Sequence, residues 1–468
     1  MVNYFLILIT YNLNSTVSRQ TKHPHYSKQS SNEKTTETVG HSFVEKYANI
    51  YKCDHQYFIR YLTLTPRFTT VRVNFKNYKP QELVESFGNQ LIQRYGEAPE
   101  IYIHPHLNDC IVIGPLLKLS QSVVHHPVQI IVDQPCALAV LRGADVFAPG
   151  VLAMPLGIQV GAEVSVYADL SMKCLRGRTA PYTHEKALVA SGVLKMSRFQ
   201  LFANNKTQPR GVAVEITNVL SQVPNVALDS SMGILQNLPS ILAGHYLDVQ
   251  PGQKVLDMCA APGNKLTHIA LLMNDTGTLI ALDKSKPRVT KLEETIKKLQ
   301  LSSIQTHVYD STRINTSSQI DIERMKLQKE SFDRILLDAP CSGFGQRPMF
   351  YNANSFLNLD KKIKSYANIQ KKLLQAGIPL LKKDGILVYC TCSLSVEENE
   401  AVIAWILHRH PEVELVQTLP QLGMKGLAHK DLEAEDQAVM QRFGPPLIPT
   451  DRNTDTIGFF ICKLRKKY

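Results

Sequence analysis

The sequence has one tryptophan, no apolar run approaching the ~20 residues of a membrane-spanning helix, and no paired C-x-x-C spacing among its nine cysteines. The first absence that matters, the missing run, argues against a membrane protein. The missing paired spacing argues against a zinc cluster. Nine cysteines in 468 residues are also too sparse for a dense disulfide framework. Most are expected to be small buried hydrophobes in a reducing, cytoplasmic setting, with no metal bound. The apolar stretch Tyr4–Thr10 is short, lacks a basic flank and is followed by Asn12, Asn14 and Ser15, so it is not read as a signal peptide. Acid is the scarcer charge: 41 Asp and Glu against 52 Lys and Arg leave a net charge of +11. That balance favours a polyanionic partner without specifying one.

What is present divides the chain into four parts. Residues 11–40 are rich in Ser, Thr, Asn, Gln and Lys and cannot bury enough surface to offset chain entropy, so 1–40 is expected to be disordered. Residues 41–126 form an N-terminal α/β segment with a helix expected over Gln81–Tyr95, where Leu83, Phe87 and Leu91 recur at helical spacing. Residues 127–216 carry short strand-like runs, Val128–Val132, Ala137–Leu141 and Glu163–Ala168, broken by Gly143, Pro149 and Gly161. That texture suggests a small β-barrel or sandwich. Residues 217–468 alternate strands with helices. Strands are expected over Lys254–Met258, Thr278–Leu282, Gln305–Tyr309, Phe332–Leu337, Gly385–Tyr389 and Ile457–Leu464, with helices over Asn264–Met273 and Arg288–Leu299. This alternation predicts an α/β domain with a mostly parallel sheet covered on both faces.

Three strand ends carry the chemistry. The first candidate, Asp257-Met258-Cys259-Ala260-Ala261-Pro262-Gly263-Asn264-Lys265, lies where a strand ends and a helix begins. Ligands of open α/β sheets bind there, and free amides at a helix start suit a carboxylate. The loop has no G-x-G-x-x-G, which disfavours a dinucleotide. Asp283 and Asp310 stand at the next two strand ends, placed to meet ribose hydroxyls and an adenine edge. Each alone is more often a solvated loop carboxylate, and their standing in register at successive strand ends is what argues for a site. Asp338 and Cys341 follow the fourth strand, and Cys390 and Cys392 the fifth. A lone strand-end cysteine is usually a buried hydrophobe, and Cys390 with Cys392 is also open to reading as a metal or redox pair.

The strings LDMCAAPGNKLTHIA, FDRILLDAPCSGFGQRP and LVYCTCSLSVEENE resemble motifs of the NSun family of RNA 5-methylcytosine methyltransferases, in the right order over about 230–468. The resemblance implies a Rossmann-like domain that uses S-adenosyl-L-methionine. It implies that Cys392 is the nucleophile, that Cys341 assists product release and that Asp338 binds the base, with Lys265 close to cofactor and target. It assigns the cofactor to Cys259, Ala260, Ala261, Pro262, Gly263, Asn264, Lys265, Asp283, Asp310 and Asp338. Asn264 departs from the family, which more often has a second glycine, and asparagine tolerates a left-handed backbone. Residues 127–216 resemble a PUA domain, a small RNA-binding pseudo-barrel, chiefly at Leu141–Gly150 and Val164–Tyr167. An upstream PUA module implies the tRNA branch of the family. The expected partner is RNA, chiefly the tRNA acceptor stem and CCA end and also messenger RNA, bound by a monomer.

A thiol suits this chemistry. C5 of cytosine is a poor carbon nucleophile, and adding a thiolate to C6 makes C5 electron-rich. Arg142, Lys173, Arg176 and Arg178 are candidate phosphate contacts, with a solvated turn as the competing reading. Lys361–Lys364, Lys371–Lys372 and Lys463–Lys467 could flank the groove. A non-catalytic RNA-binding protein is the main alternative, and Asp338, Cys341 and Cys392 together argue against it. A methyltransferase acting on protein or a small molecule would need neither two thiols nor a PUA module.

Overall fold

The computed structural model describes residues 42–117, 123–203, 209–316, 318–351, 356, 358–445 and 452–468. The expected disorder of 1–40, and with it Tyr4–Thr10, lies outside the described residues.

Helix α1 (residues 42–50) and α2 (His55–Thr63) come first. Asp54 caps α2 by accepting from the amides of Gln56 and Tyr57. The apolar faces of both helices bury Phe43, Val44, Tyr47, Phe58 and Leu62 against Phe344, Phe356, Leu359, Ile363 and Leu394, which are far along the chain. These two helices therefore pack on the C-terminal part of the protein. Next come β1 (Thr69–Val73), α3 (Pro80–Tyr95), β2 (Ile101–Ile103) and β3 (Cys110–Ile113). Helix α3 follows the expected 3.6-residue stripe: Leu83, Phe87 and Leu91 are its buried residues, and Gly96 ends it in a left-handed conformation. A later strand, β10 (Gly233–Leu235), completes this antiparallel sheet in the order β10-β1-β3-β2.

The second sheet has six strands in the order β5-β9-β8-β7-β4-β6. They are β4 (Gln129–Val132), β5 (Val146–Phe147), β6 (Val151–Ala153), β7 (Glu163–Asp169), β8 (Lys186–Leu194) and β9 (Val212–Val219). Its core is aliphatic, with Ile130, Val140, Val166, Val189, Val214 and Ile216 among the buried residues. The strand expected at Ala137–Leu141 is instead helix α4 (Gln134–Leu141). Asp133 accepts from the amide of Cys136 and Pro135 occupies the first turn, so local helix-start chemistry overrides a short apolar run that carries no period. A short helix, α5 (Arg198–Phe202), packs Leu201 into the same core. Arg94 of α3 joins the first two sheets, donating to Asp145 at 2.8 Å and to the Ile216 carbonyl at 2.9 Å.

The third sheet begins after α6 (Leu238–Tyr246). Its order is β13-β12-β11-β14-β15-β18-β16, with β17 also paired to β18. Five strands are parallel: β11 (Lys254–Asp257), β12 (Thr278–Asp283), β13 (Ile304–Val308), β14 (Phe332–Asp338) and β15 (Leu381–Thr391). Strand β18 (Phe459–Lys466) runs antiparallel between β15 and β16 (Val413–Val416), and β17 (Gln441–Phe443) is short. Buried apolar clusters cover both faces, as a parallel sheet requires. The connecting helices are α7 (Asn264–Leu272), α8 (Lys286–Lys298), α9 (Gln319–Arg324), α10 (Leu359–Gly377) and α11 (Glu400–Arg409). Lys463–Lys467 does not flank the catalytic edge. Register pairs Lys463 with Val388 and Arg465 with Ile386, which places this run beside the middle of β15 and short of Cys392, and Lys466 is buried on Glu330 and the Leu381 carbonyl.

A buried polar seam joins the first sheet to the third. Asp109 accepts from His245 of α6 at 2.8 Å and from His268 of α7 at 2.7 Å, while Arg72 of β1 donates to Thr267. Asp109, His245 and His268 bring potential metal-ligand atoms within 4.8 Å of one another. The guanidinium of Arg72 raises the electrostatic cost of a cation there, and both imidazoles already hydrogen-bond the Asp109 carboxylate. Burial lowers the His268 pKa to about 4 against the pull of Asp109. A histidine depressed in the folded state contributes stability above the unfolded value of 6.5, and that stability drains away as pH falls toward about 4. At ~1.4 kcal/mol per unit the full effect is roughly 3 kcal/mol. The His268→Gln variant should be less stable than wild type at pH 7.5, yet lose less stability between pH 6.5 and 4 in urea titrations. Parallel pH slopes for the two proteins would refute this assignment.

Candidate active site

The C-terminal ends of β11, β12, β14 and β15 converge on one group of side chains. After β11 the chain runs through Met258–Gly263 before entering α7. The Ala260 amide donates to the Leu282 carbonyl, and the Ala261 amide to Asp283 Oδ2 at 3.3 Å. Cys259 donates its amide to Asp257 Oδ1 at 3.1 Å. The left-handed residue is Gly263, with φ 109°, and not Asn264, which opens the helix. The positive φ is what favours glycine there; a Cβ would also meet Cδ1 of Leu292 on α8, the movable end of a side chain. Asparagine at 264 needs no special backbone.

Asp283 is the last residue of β12, and Asp310 lies two residues beyond β13. Asp283 is buried, bonded through Oδ1 to the Ser285 amide and paired with Arg288 at 3.3 Å. Arg288 also donates to the Ala261 carbonyl, clamping the loop to α8. Asp310 Oδ1 accepts from the Thr312 amide at 3.0 Å and hydroxyl at 2.7 Å. Next to it, Ser311 donates to the Met258 carbonyl at 2.6 Å and so ties this turn to the first loop.

Lys265, in the first turn of α7, donates to Asp338 Oδ2 at 2.7 Å. Burial alone would lower the Lys265 pKa, but the Asp338 carboxylate outweighs it and the pKa is raised, so this side chain is a fixed ammonium. Cys390 donates to the other Asp338 oxygen at 3.4 Å. The thiol of Cys392 lies 3.2 Å from that of Cys341. Hydrogen bonding from Cys341 lowers the Cys392 pKa, burial opposes this, and the Gln346 side chain and Lys265 assist. Cys341 shifts the other way, well above the ordinary thiol value, through its pairing with Cys392, its burial and the nearby Glu398 charge. Burial also pushes Cys390 and Cys259 up. Cys392 is thus the sulfur set to ionise first. Cys390 and Cys392 engage different partners, and the metal-ligand group found among the described residues contains neither. All nine cysteines are free thiols.

Asp257 opens the first strand-end candidate, whereas Gln346 and Glu398 were not singled out in the sequence. Burial, reinforced by Asp338, pushes Asp257 up to about 8. Gln346 follows a backbone crossing at which Gly345 meets Gly458 so closely that a Cβ on either would collide. Glu398 is buried between the two cysteine loops. For Gln346 and Glu398, only their presence inside the quoted strings hinted at a role.

The candidate phosphate contacts lie elsewhere, at a helix end and in the β7–β8 loop beside the second sheet. Arg176 donates to the carbonyls of Pro149 and Val151, and Arg178 to those of Ala180 and Pro181. Both therefore hold loops together. Arg142 and Lys173 are exposed and lack such carbonyl bonds among the described residues. Of the lysine runs, Lys362 reaches the Ser342 carbonyl at 2.9 Å, whereas Lys371 lies over Trp405 on the flank.

Comparison with known proteins agrees with this geometry. The family model for 16S rRNA methyltransferase RsmB/F matches residues 244–465. The chain is 36% identical over 432 residues to the Homo sapiens tRNA (cytosine(72)-C(5))-methyltransferase NSUN6, covering 87% of this chain and 90% of that one. It is 30% identical over 341 residues to the tRNA (cytosine(72)-C(5))-methyltransferase of Pyrococcus horikoshii, covering 72% and 75%. The crystal structure of NSun6 from Pyrococcus horikoshii with SFG superposes with a TM-score of 0.68 at 27% identity, covering 91% of this chain and 97% of that one. With the converging strand ends and the paired thiols, these likenesses place the chain in the NSun–RsmB/F family of RNA (cytosine-C5) methyltransferases.

Proposed function

We propose that the protein methylates C5 of a cytosine in tRNA near the 3′ acceptor end, with Cys392 as nucleophile. The observation that carries this reading is the pair of thiols 3.2 Å apart beside the Lys265–Asp338 ion pair. The residues fit S-adenosyl-L-methionine: Asp283 and Asp310 offer carboxylates for ribose and adenine, and the loop Cys259–Asn264 stands beside them at the end of the neighbouring strand. When bound, that cofactor supplies an electrophilic methyl group.

The chain's own residues do the rest. The Cys392 thiolate forms a bond to C6, and the displaced electron pair moves toward C5 and N3. The Asp338–Lys265 pair holds the base at its N3 edge and supplies the hydrogen bond that stabilises this charge. After C5 gains its methyl group, the C5 proton leaves to a base and the electrons expel Cys392 as thiolate. Cys341 lies against the departing sulfur and assists that step. The second sheet is read as a PUA module that grips the CCA end and stem, with Arg142 and Lys173 on phosphates.

Label from methyl-labelled S-adenosyl-L-methionine should enter RNA rather than protein, and bisulfite sequencing should place 5-methylcytosine near the tRNA 3′ end. Label in protein alone would overturn the reading. The double variant Arg142→Glu, Lys173→Glu should weaken tRNA binding by about tenfold or more and flatten its salt dependence by about 0.7–0.9 per lost phosphate contact. Cofactor affinity should not change. An unchanged salt slope would remove these two residues from the RNA contact.

A further inference from the structure

We propose that Glu398, which bonds to neither thiol, is the positioning residue that holds Cys341 and Cys392 in register. This rests on the reading of those cysteines given above. Glu398 is fully buried ahead of α11. Its Oε1 accepts from the Ser342 amide at 2.7 Å and from Gln370 at 3.4 Å. Its Oε2 accepts from the hydroxyls of Ser342 at 2.6 Å, Ser393 at 2.5 Å and Ser395 at 3.0 Å. Ser342 follows Cys341 in the chain, and Ser393 follows Cys392. One carboxylate therefore bridges the two loops that carry the two sulfurs.

The energetics make this bridge unusual. A buried carboxylate is expensive unless it is paired or fully hydrogen-bonded. Among the described residues no cation pairs with Glu398, whereas Glu400, two residues on, is neutralised by Arg442 at 2.6 Å. Glu398 is instead satisfied by neutral donors alone, and those donors come from both cysteine loops and from α10. A neutral glutamine would fill the same space without the burial cost, but its amide nitrogen cannot accept from the serine hydroxyls or the Ser342 amide. The charge also acts at a distance: it favours the protonated form of Cys341, whose sulfur lies 3.2 Å from that of Cys392. Geometry and charge therefore act together to leave the proton on Cys341 and the reactive sulfur on Cys392.

The surrounding structure protects the bridge. The Tyr389 hydroxyl donates to the Glu398 carbonyl at 2.5 Å, and Asn399 ties the Thr391 hydroxyl to the Ser393 carbonyl. Tyr47 and Lys46 of α1 hold Glu397 from outside, and Tyr51 and Arg442 both bond the Leu394 carbonyl. The loop after Cys392 is thus fixed from every side, with Glu398 at its centre.

The test measures the thiols without RNA or cofactor. Wild-type protein is treated with iodoacetamide across pH 6–9, and labelling of Cys392 and Cys341 is quantified by peptide mass spectrometry. Wild type should label Cys392 in preference to Cys341. In Glu398→Gln that preference should narrow by about threefold or more, with Cys341 gaining reactivity at lower pH. In turnover assays the same variant should lose about tenfold or more in kcat, with KM for RNA changed by less than about threefold. Ser393→Ala removes a single donor and serves if Glu398→Gln does not fold; it should shift the preference in the same direction. Glu398→Asp, which restores charge, should recover part of it. An unchanged labelling preference in a folded variant overturns the proposal. The two readings separate cleanly: a shifted preference in a protein that methylates no RNA would spare this inference and sink the proposed reaction, and the converse result would do the reverse.

Discussion

Replacing Cys392 by alanine is expected to abolish RNA methylation, by a factor of about 10³ or more, while leaving S-adenosyl-L-methionine binding within about threefold of wild type. The expectation rests on where the sulfur sits. Cys392 follows the end of β15 and bonds to Cys341 and Gln346, whereas the loop 259–264 is held by Asp283, Arg288 and the Leu282 carbonyl. Removing one sulfur leaves those bonds in place. It also leaves the Lys265–Asp338 pair, so the base could still dock. What is lost is the only step that makes C5 nucleophilic. Cys390→Ala is the control. That thiol is buried and donates to Asp338, so its removal should disturb packing and the carboxylate but not the addition itself. Isothermal titration with cofactor and single-turnover methylation check both halves. Activity within tenfold of wild type in the Cys392 variant would transfer the nucleophile's role elsewhere.

How much of this was legible in the sequence depends on whether a feature is local. Strand–loop–helix units are local, so β11, β12, β14 and their strand-end residues followed from apolar runs that stop at polar turns. The helix over 80–95 was equally readable from Leu83, Phe87 and Leu91. Ala137–Leu141 was misread because five apolar residues carry no period, and the decisive Asp133 cap precedes the run. Lys463–Lys467 was misplaced because its position depends on β18 running antiparallel beside β15, a pairing made across more than 70 residues. The buried contact of α1 and α2 with Phe344 and Phe356 was invisible for the same reason. Glu398 shows the limit most clearly. A glutamate in a Ser- and Glu-rich stretch reads as a solvated loop residue, and only the fold brings Ser342 from another strand end to meet it.

The position of that second loop motivates the last expectation: Cys341→Ala should trap RNA covalently on Cys392. In the proposed sequence, addition to C6 and methylation of C5 need the Cys392 thiolate and the Asp338–Lys265 pair. Breakdown of the adduct needs loss of the C5 proton and departure of sulfur, and Cys341 is the group 3.2 Å from that sulfur. Its removal has two opposed consequences. Cys392 loses the hydrogen bond that lowers its pKa, so addition should slow near neutral pH and recover as pH rises. Release should slow far more, because the group that assists it has gone. The net result is an enzyme that completes about one methyl transfer per active site and then stalls as a protein–RNA adduct. A denaturing gel after incubation with tRNA and S-adenosyl-L-methionine should show a slow-migrating band holding a large share of the enzyme. That band should strengthen between pH 7 and 8.5 and vanish in the Cys341→Ala, Cys392→Ala double variant. Wild-type turnover with no such band would mean that Cys341 only packs against Cys392 and that another group carries the release step.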